Sequence, residues 1–234
     1  MVGDGSRPTV VPVALAPFGF LNAYLILGER VIVVDAGYPR LTGGLLQALD
    51  RLDIGPQDVS LVFLTHGHLD HLGGVGRLRR QLQAPVALHR LDAEIARTGR
   101  DRPLHGTDVF GTVFAWFAPR TAPSFEPEIV HDGDLDLAPY GVAGRTIHTP
   151  GHTPGSVTIV LEDAVVAGDI AAGGFLRRHA PRLPYFADDL AAARRSIAAV
   201  AAIAPGPIHV GHRGPLDPAV LERWSRSDGR ATTG

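Results

Sequence analysis

The chain has 234 residues, a formal charge of -2 and no cysteine. That length fits a single large domain with a sizeable core, and the near-neutral balance gives no pull toward nucleic acid or an anionic membrane surface. Without cysteine, disulfides, thiolate metal sites and thiol nucleophiles are excluded. All 22 basic residues are arginines, so a lysine Schiff base and a lysine anion clamp are excluded as well.

The opening run MVGDGSRPTV has no basic stretch leading into an apolar one, so no secretory leader is expected. Val10–Ala16 is rich in β-branched residues and is predicted as a strand. NAYLIL (Asn22–Leu27), then Gly28–Arg30, then VIVVD (Val31–Asp35) reads as strand, tight turn, strand. Leu41–Leu52 places Leu45, Leu46, Leu49 and Leu52 at helical spacing, and Gly55-Pro56 ends that segment. Val59–Leu64 is a short continuous apolar run, the pattern of a strand covered on both faces. A helix over Leu72–Leu82 and a strand over Val86–Leu88 follow.

Thr98–Pro127 interrupts this alternation with Phe110, Phe114, Trp116, Phe117 and Phe125. It reads either as a connection with its own small apolar cluster or as an insertion forming one wall of a substrate pocket, since loops on rigid scaffolds often shape sites. In the second case Phe114, Trp116 and Phe117 line the pocket. Beyond it, Val142–His148, Ser156–Leu161 and Ala164–Ala167 are predicted strands. Leu190–Ile203 is an alanine-rich helix with Asp188 or Asp189 as its cap. Ile208–Val210 is a short strand, and Asp217-Pro218 opens a last helix. Residues 225–234 are expected to fray. No apolar run reaches the roughly 18 residues of a membrane span, and a soluble cytoplasmic protein, a single domain over residues 1–234, is expected.

The chemistry concentrates in LVFLTHGHLDHLGG (Leu61–Gly74), where an apolar strand runs into His66, His68, Asp70 and His71. On a continuing strand the first three would share one face and His71 would point away. A turn after the strand lets all four converge on two adjacent points. A plain polar loop capping the next helix would account for one histidine, but four donors at this spacing call for a cation, and imidazole with carboxylate suits zinc, iron or manganese. The rest of the chain supplies lone donors at strand ends. His152 stands in HTPGHTPGS, Asp169 in VVAGDI and His212 in IHVGHRGPL.

This ordered set, together with NAYLILGERVIVVDAG near the start, resembles the metallo-β-lactamase-fold hydrolases, in their glyoxalase II and lactonase-like branch. The resemblance covers nearly the whole chain. It implies an α/β fold, an αββα four-layer sandwich of two mixed β-sheets flanked by helices, with the site at one edge. It implies that His66, His68 and His152 hold a first metal, that Asp70, His71 and His212 hold a second, and that Asp169 bridges them. Two divalent ions follow, zinc first and iron or manganese as alternatives, and Asp70 doubles as proton acceptor or shuttle. Asp35 would support the metal loop from behind, and Ser156 would brace the TPGHTPG turn.

Arg213 stands where family members often carry glycine, which places an arginine near the pocket mouth, as a contact for an anionic substrate or as a solvated residue. His89, His105, His131, His148, His179 and His209 match no ligand position. The reaction implied is hydrolysis of an ester, lactone or thioester of a small molecule, by a monomer or homodimer with neither nucleic-acid nor membrane partners. Ala172 stands where lactonase relatives place a tyrosine, which weakens acyl-homoserine lactone cleavage. The absence of lysine disfavours glyoxalase II specificity. β-Lactam cleavage is disfavoured by the lack of a leader, of a second-metal cysteine and of lysine. The alternatives are a mononuclear iron persulfide dioxygenase, against which the complete second set argues, and a non-enzymatic metal-binding protein.

Overall fold

The computed structural model describes residues 7–231. The chain opens with antiparallel strands β1 (Thr9–Ala14), β2 (Asn22–Leu27) and β3 (Val31–Val34). Helix α1 (Thr42–Arg51) crosses to β4 (Val59–Phe63), parallel to β3. Two short helices, α2 (Leu69–Leu72) and α3 (Val75–Arg79), lead to β5 (Val86–His89). Then α4 (Ala93–Thr98) and α5 (Val109–Phe117) precede β6 (Ile129–His131). These strands form one mixed sheet in the order β1-β2-β3-β4-β5-β6.

The second sheet takes β7 (Arg145–His148), β8 (Val157–Val160) and β9 (Val165–Val166). A small hairpin, β10 (Ala172–Gly173) with β11 (Pro181–Arg182), and helix α6 (Leu190–Ile203) follow. Strand β12 (Ile208–His209) then joins parallel to β9, in the order β12-β9-β8-β7, and α7 (Pro218–Ala231) ends the described chain.

Alternation along the strands sorts the apolar side chains into layers, because successive residues point to opposite faces. Leu25, Val31, Val33, Val62 and Leu88 face Leu45 and Leu49 of α1, Leu78 of α3 and Ile95 of α4. Their neighbours Ile26, Ile32, Val34, Leu61, Phe63 and Ala87 meet Val157, Ile159 and Val166 of the second sheet. Val165 and Ile208 face Ile197 and Val200 of α6 and Leu221 of α7. The result is the expected αββα sandwich. β2 to β4 sit under cover on both faces, which is why they read as continuous apolar runs.

Several expected boundaries move. β1 stops at Ala14 because Pro17 opens a 3-10 turn. The helix expected over Leu72–Leu82 starts at Leu69 and breaks at Gly73-Gly74, where the Gly74 N–H bonds the Gly37 carbonyl at 2.7 Å. β7 covers only Arg145–His148, since Val142 follows a 3-10 turn and packs between the sheets. β6 and the β10–β11 hairpin, three and two residues per strand, are too short to leave a periodic signal. Asp189, not Asp188, caps α6 by accepting the Ala192 N–H at 2.9 Å. The tail expected to fray from Ser225 continues as helix to Ala231, and 232–234 lie outside the described residues. Among the described residues no helix is long and apolar enough to cross a membrane.

Phe63 is fully buried between the sheets, whereas Leu176 is 97% exposed. Phe63→Ala is expected to cost about 3–5 kcal/mol in denaturant unfolding, through lost transfer energy and the cavity left behind. Leu176→Ala is expected to stay within about 0.5 kcal/mol. Equal costs for the two would contradict the layer assignment.

Candidate metal centre

β4 delivers the chain to His66, and the chain turns at His68 into α2. That turn lets Asp70 and His71 project toward the same space as His66 instead of alternating across a strand. The β7–β8 connection brings His152, the turn after β9 brings Asp169, and the turn after β12 brings His212. His66, His68 and His152 form one buried trio of potential donors. His66, His71 and Asp169 form another, and Asp70, His71 and His212 a third, each with its donor atoms within 4.8 Å of one another. Asp169 Oδ2 lies 3.6 Å from His152 Nε2 and 3.0 Å from His212 Nε2, so it faces both histidine groups. Asp70 Oδ2 is 3.3 Å from His212 Nε2 and 3.7 Å from His71 Nε2. All seven residues singled out from the sequence therefore meet in one place. Gly211 lets the last loop approach, since a Cβ there would stand 2.1 Å from Asp169 Oδ1.

The surrounding hydrogen bonds fix which ring nitrogens point inward. Asp35 Oδ2 accepts from His71 Nδ1 at 2.8 Å, and the Phe186 carbonyl accepts from His152 Nδ1 at 2.7 Å. The Phe20 carbonyl accepts from His212 Nδ1. Asp35 also accepts the Thr65 N–H at 2.8 Å and the Thr65 hydroxyl, whose oxygen takes the His66 Nδ1–H at 3.0 Å. In His66 and His152, which burial keeps neutral, this leaves the Nε2 lone pairs facing the cluster, whereas His71 and His212, set among Asp35, Asp70 and Asp169, hold their protons more tightly. His66 Nε2 and His152 Nε2 then meet at 3.1 Å, where two lone pairs repel unless a cation sits between them. His71 Nε2 and Asp169 Oδ1 are buried with no hydrogen-bond partner. Unpaired buried polar atoms are costly, and nitrogen and oxygen donors without sulfur suit a divalent metal such as zinc. The residues fit that group.

Charge follows the same division. Burial, with the neighbouring imidazoles, holds His66 and His68 well below the usual histidine range, so both are neutral. Burial also disfavours the His71 cation, but Asp35, Asp169 and Asp70 outweigh it and raise His71 to about 9. Burial would raise the Asp70 carboxyl, yet His71 and His212 hold it down at about 2.

Some functional residues carry no motif in the sequence. Asp92, fully buried, accepts the Gly67 N–H at 2.8 Å, the Thr153 hydroxyl at 2.6 Å and the Gly155 N–H at 3.2 Å, and pairs with Arg102 at 3.0 Å. It joins the loop of His66 and His68 to the loop of His152. Ser156 braces that loop by accepting the Thr153 N–H at 3.0 Å. Asp101 Oδ1 stands 4.0 Å from His68 Nε2, and burial beside Asp70 raises its carboxyl to about 7. Aromatic rings border the cluster. Phe20 and Tyr185 lie against His212, and Phe186 lies against His68. Phe114 stacks on Phe186. Trp116 and Phe117 are 84% and 78% exposed. On a helix a residue two positions from Phe114 faces away from it, so Trp116 stands on the outer side of α5, and Phe117 is exposed at its last turn. Arg213 packs over Phe20 and Phe175. His148 stacks on His89, and His209 meets Tyr24 edge to face, both away from the donor cluster.

A mixed two-sheet sandwich with histidines and aspartates gathered at one edge defines a metal-site protein of the αββα class. Residues 16–213 match the metallo-beta-lactamase superfamily, and the chain belongs to it. A probable metallo-hydrolase of Methanocaldococcus jannaschii is 28% identical over 148 residues, 63% of this chain and 66% of its own. Probable metallo-hydrolase YqgX of Bacillus subtilis is 32% identical over 119 residues, 50% of this chain and 52% of its own. Probable metallo-hydrolase YflN of the same organism is 27% identical over 205 residues, 79% of this chain and 76% of its own. The chain thus spans between about half and three quarters of these relatives. A subclass B3 metallo-beta-lactamase from a soil metagenome library superposes with a TM-score of 0.68 at 22% identity, covering 100% of this chain and 96% of that one. An archaeal superfamily protein from Sulfolobus tokodaii gives 0.67 at 18% identity over 95% and 86% of the two chains. At these identities the likeness is one of fold.

Asp92→Asn replaces an acceptor of four donors with a group that must itself donate. The variant is expected to keep its circular dichroism spectrum but to bind zinc about 10–100-fold more weakly in chelator competition. Unchanged affinity would mean that Asp92 does not position the ligand loops.

His71 titrates at about 9 in the folded chain against an ordinary 6.5. Its ion pairs therefore stabilise the metal-free protein fully below pH 6.5, and that contribution is lost as pH rises through 9. A metal must displace the same proton. Zinc binding at pH 7 is expected to release protons, measured by calorimetry in two buffers of different ionisation enthalpy. Identical heats in the two would refute the assignment.

Proposed function

We propose that the chain is a metal-dependent hydrolase with a dinuclear site, cleaving the carbonyl of an ester, lactone or thioester. In this reading His66, His68 and His152 hold one divalent ion, Asp70, His71 and His212 hold the other, and Asp169 serves both, with zinc as the leading metal. The observation that carries it is the meeting of His66 Nε2 and His152 Nε2 at 3.1 Å beside a second, separate donor trio. One trio alone would suffice for a single iron, the requirement of a persulfide dioxygenase, and would leave Asp70, His71 and His212 without a purpose. Relatives named as probable metallo-hydrolases support the reaction class.

Two divalent ions in such a site supply Lewis acidity and a water of near-neutral pKa. The chain's own groups do the rest. Asp35 and the carbonyls of Phe186 and Phe20 lock three ligand rings in place, so little reorganisation remains when substrate arrives. Asp70, with its side chain 20% exposed, is the most open of the donors paired there. In this reading its Oδ2, the donor most open to the site, takes up a proton and returns it to the leaving group. Phe20, Tyr185 and Phe186 exclude water around the reacting carbonyl.

The test pairs metal content with turnover. The purified protein is expected to hold two metal ions per chain by elemental analysis and to hydrolyse members of an ester, lactone and thioester panel. Outer partners of metal ligands typically matter by 10–100-fold, so His68→Ala and Asp169→Ala are expected to lose metal together with more than about 100-fold in kcat/KM. Full activity after exhaustive chelation, or one iron per chain with oxygen uptake on a persulfide, would overturn the reading.

A further inference from the structure

We propose that the substrate is an amphiphilic anion: an acyl compound whose apolar portion lies against the aromatic wall of α5 and whose negative group meets Arg213. The inference rests on the hydrolase reading above and names the class of molecule that site takes.

The wall is built, not incidental. Helix α5 reads VFGTVFAWF and contains no charged residue. Its start is strapped to the segment that follows β11. The Thr107 N–H bonds the Tyr185 carbonyl at 3.0 Å, the Thr107 hydroxyl bonds the Pro184 carbonyl, and Arg182 pairs with Asp108. Gly111 permits the approach, since a Cβ there would stand 2.2 Å from the Tyr185 carbonyl oxygen. Phe110 packs on Tyr185 and Phe175, and Phe114 on Phe186, so a chain of ring contacts links the aromatics touching His68 and His212 to α5. A purely polar acyl compound would gain nothing from such a border.

Arg213 supplies the charge. Its φ of +67° is in the left-handed region, where an arginine is strained and a glycine is not. Its backbone holds that shape through the Arg213 N–H to the Gly19 carbonyl and through Asn22 Nδ2 to the Arg213 carbonyl at 2.9 Å. The backbone conformation at this turn therefore does not itself call for a side chain. The one present lies over the rings of Phe20 and Phe175, with its Nε buried and without a hydrogen-bond partner. Among the described residues its guanidinium has no carboxylate partner. Arginines elsewhere near the site are engaged: Arg182 pairs with Asp108, Arg102 with Asp92 and Asp188, and Arg178 donates to the Gly214 carbonyl. A guanidinium seated on aromatic faces, one ring away from His212, and left unneutralised is a receptor for an anionic group.

The test is binding, so that it stands apart from turnover. Zinc-loaded protein is titrated by calorimetry with 1-octanesulfonate and with 1-octanol, which share a tail and differ in the charge of the head. Sulfonate is a poor metal ligand, so the comparison reads the arginine and not the metals. The expected result is at least tenfold tighter binding of the sulfonate, a preference that falls below about threefold in Arg213→Ala and is partly kept in Arg213→Lys. Phe114→Ala is expected to weaken both probes alike. Equal binding of the two by the wild type, or a preference that survives Arg213→Ala, overturns the proposal even if esters are hydrolysed. Head-group preference without hydrolysis of any ester, lactone or thioester would sink the hydrolase reading and leave the anion site standing.

Discussion

His66 and His152 meet nitrogen to nitrogen at 3.1 Å inside the protein, each with its other nitrogen already committed to a hydrogen bond. That contact is unfavourable as it stands, and the fold is arranged to make it. A buried imidazole ordinarily finds two partners. Here the partners on the Nδ1 side come from Thr65, from Asp35 and from two backbone carbonyls, and the facing Nε2 atoms of His66 and His152 are left for something the chain does not itself provide. The cost of holding these atoms apart from water is met by the apolar layers behind them, which anchor β4, β9 and β12 so firmly that the donors at their ends have little freedom to turn outward.

The two sheets contribute unequally to the cluster, and polar contacts between them keep it in register. The first sheet gives His66 to His71, and the second gives His152, Asp169 and His212. Tyr24 of β2 donates its hydroxyl to the Val210 carbonyl at 2.6 Å, and the Asn22 N–H bonds the Gly211 carbonyl at 2.8 Å, which ties the last ligand loop to the opposite sheet. Asp92 does the same between the first ligand loop and the loop of His152. A rigid-body slide of one sheet over the other would break both ties, so the spacing of the donors is a property of the sandwich and not of any single loop.

This explains which parts were legible in the sequence. HGHLDH, the lone His152, Asp169 after glycine and His212 before Arg213 could be read because each follows a recognisable apolar strand, and strand ends are where a buried scaffold can present a polar group. The layers were legible for the same reason, since β2 to β4 are apolar on both faces. Asp92 was not legible, because a carboxylate that accepts from glycine backbones and a threonine hydroxyl leaves no spacing pattern. Its partners stand 25 and 61 positions away. Aromatic content marked Phe110 to Phe117 as a unit, but only the helical period separates Phe114, which turns to Phe186, from Trp116, which turns to solvent. The break at Gly73-Gly74 was hidden because its cause, the Gly37 carbonyl, lies in a different part of the chain.

The aromatic border and the donor cluster share one segment of backbone, and this makes them hard to vary separately. The Phe186 carbonyl fixes the His152 ring, the Asp188 N–H bonds the His152 carbonyl at 3.2 Å, and the two residues before Phe186 receive the straps from Thr107 that hold α5 in place. A load placed on α5 by a bound apolar chain is therefore carried into the segment that orients His152. Loops that merely decorate a scaffold can change length and composition without touching the chemistry beneath. Here the straps that hold the aromatic wall and the bond that aims the His152 ring are on consecutive residues, so a change in one is felt in the other. Arg213, directly after His212, packs on Phe175, the ring that Phe110 of α5 also touches. The aromatic border is thus joined to the donor geometry both through Phe186 and through the His212–Arg213 turn.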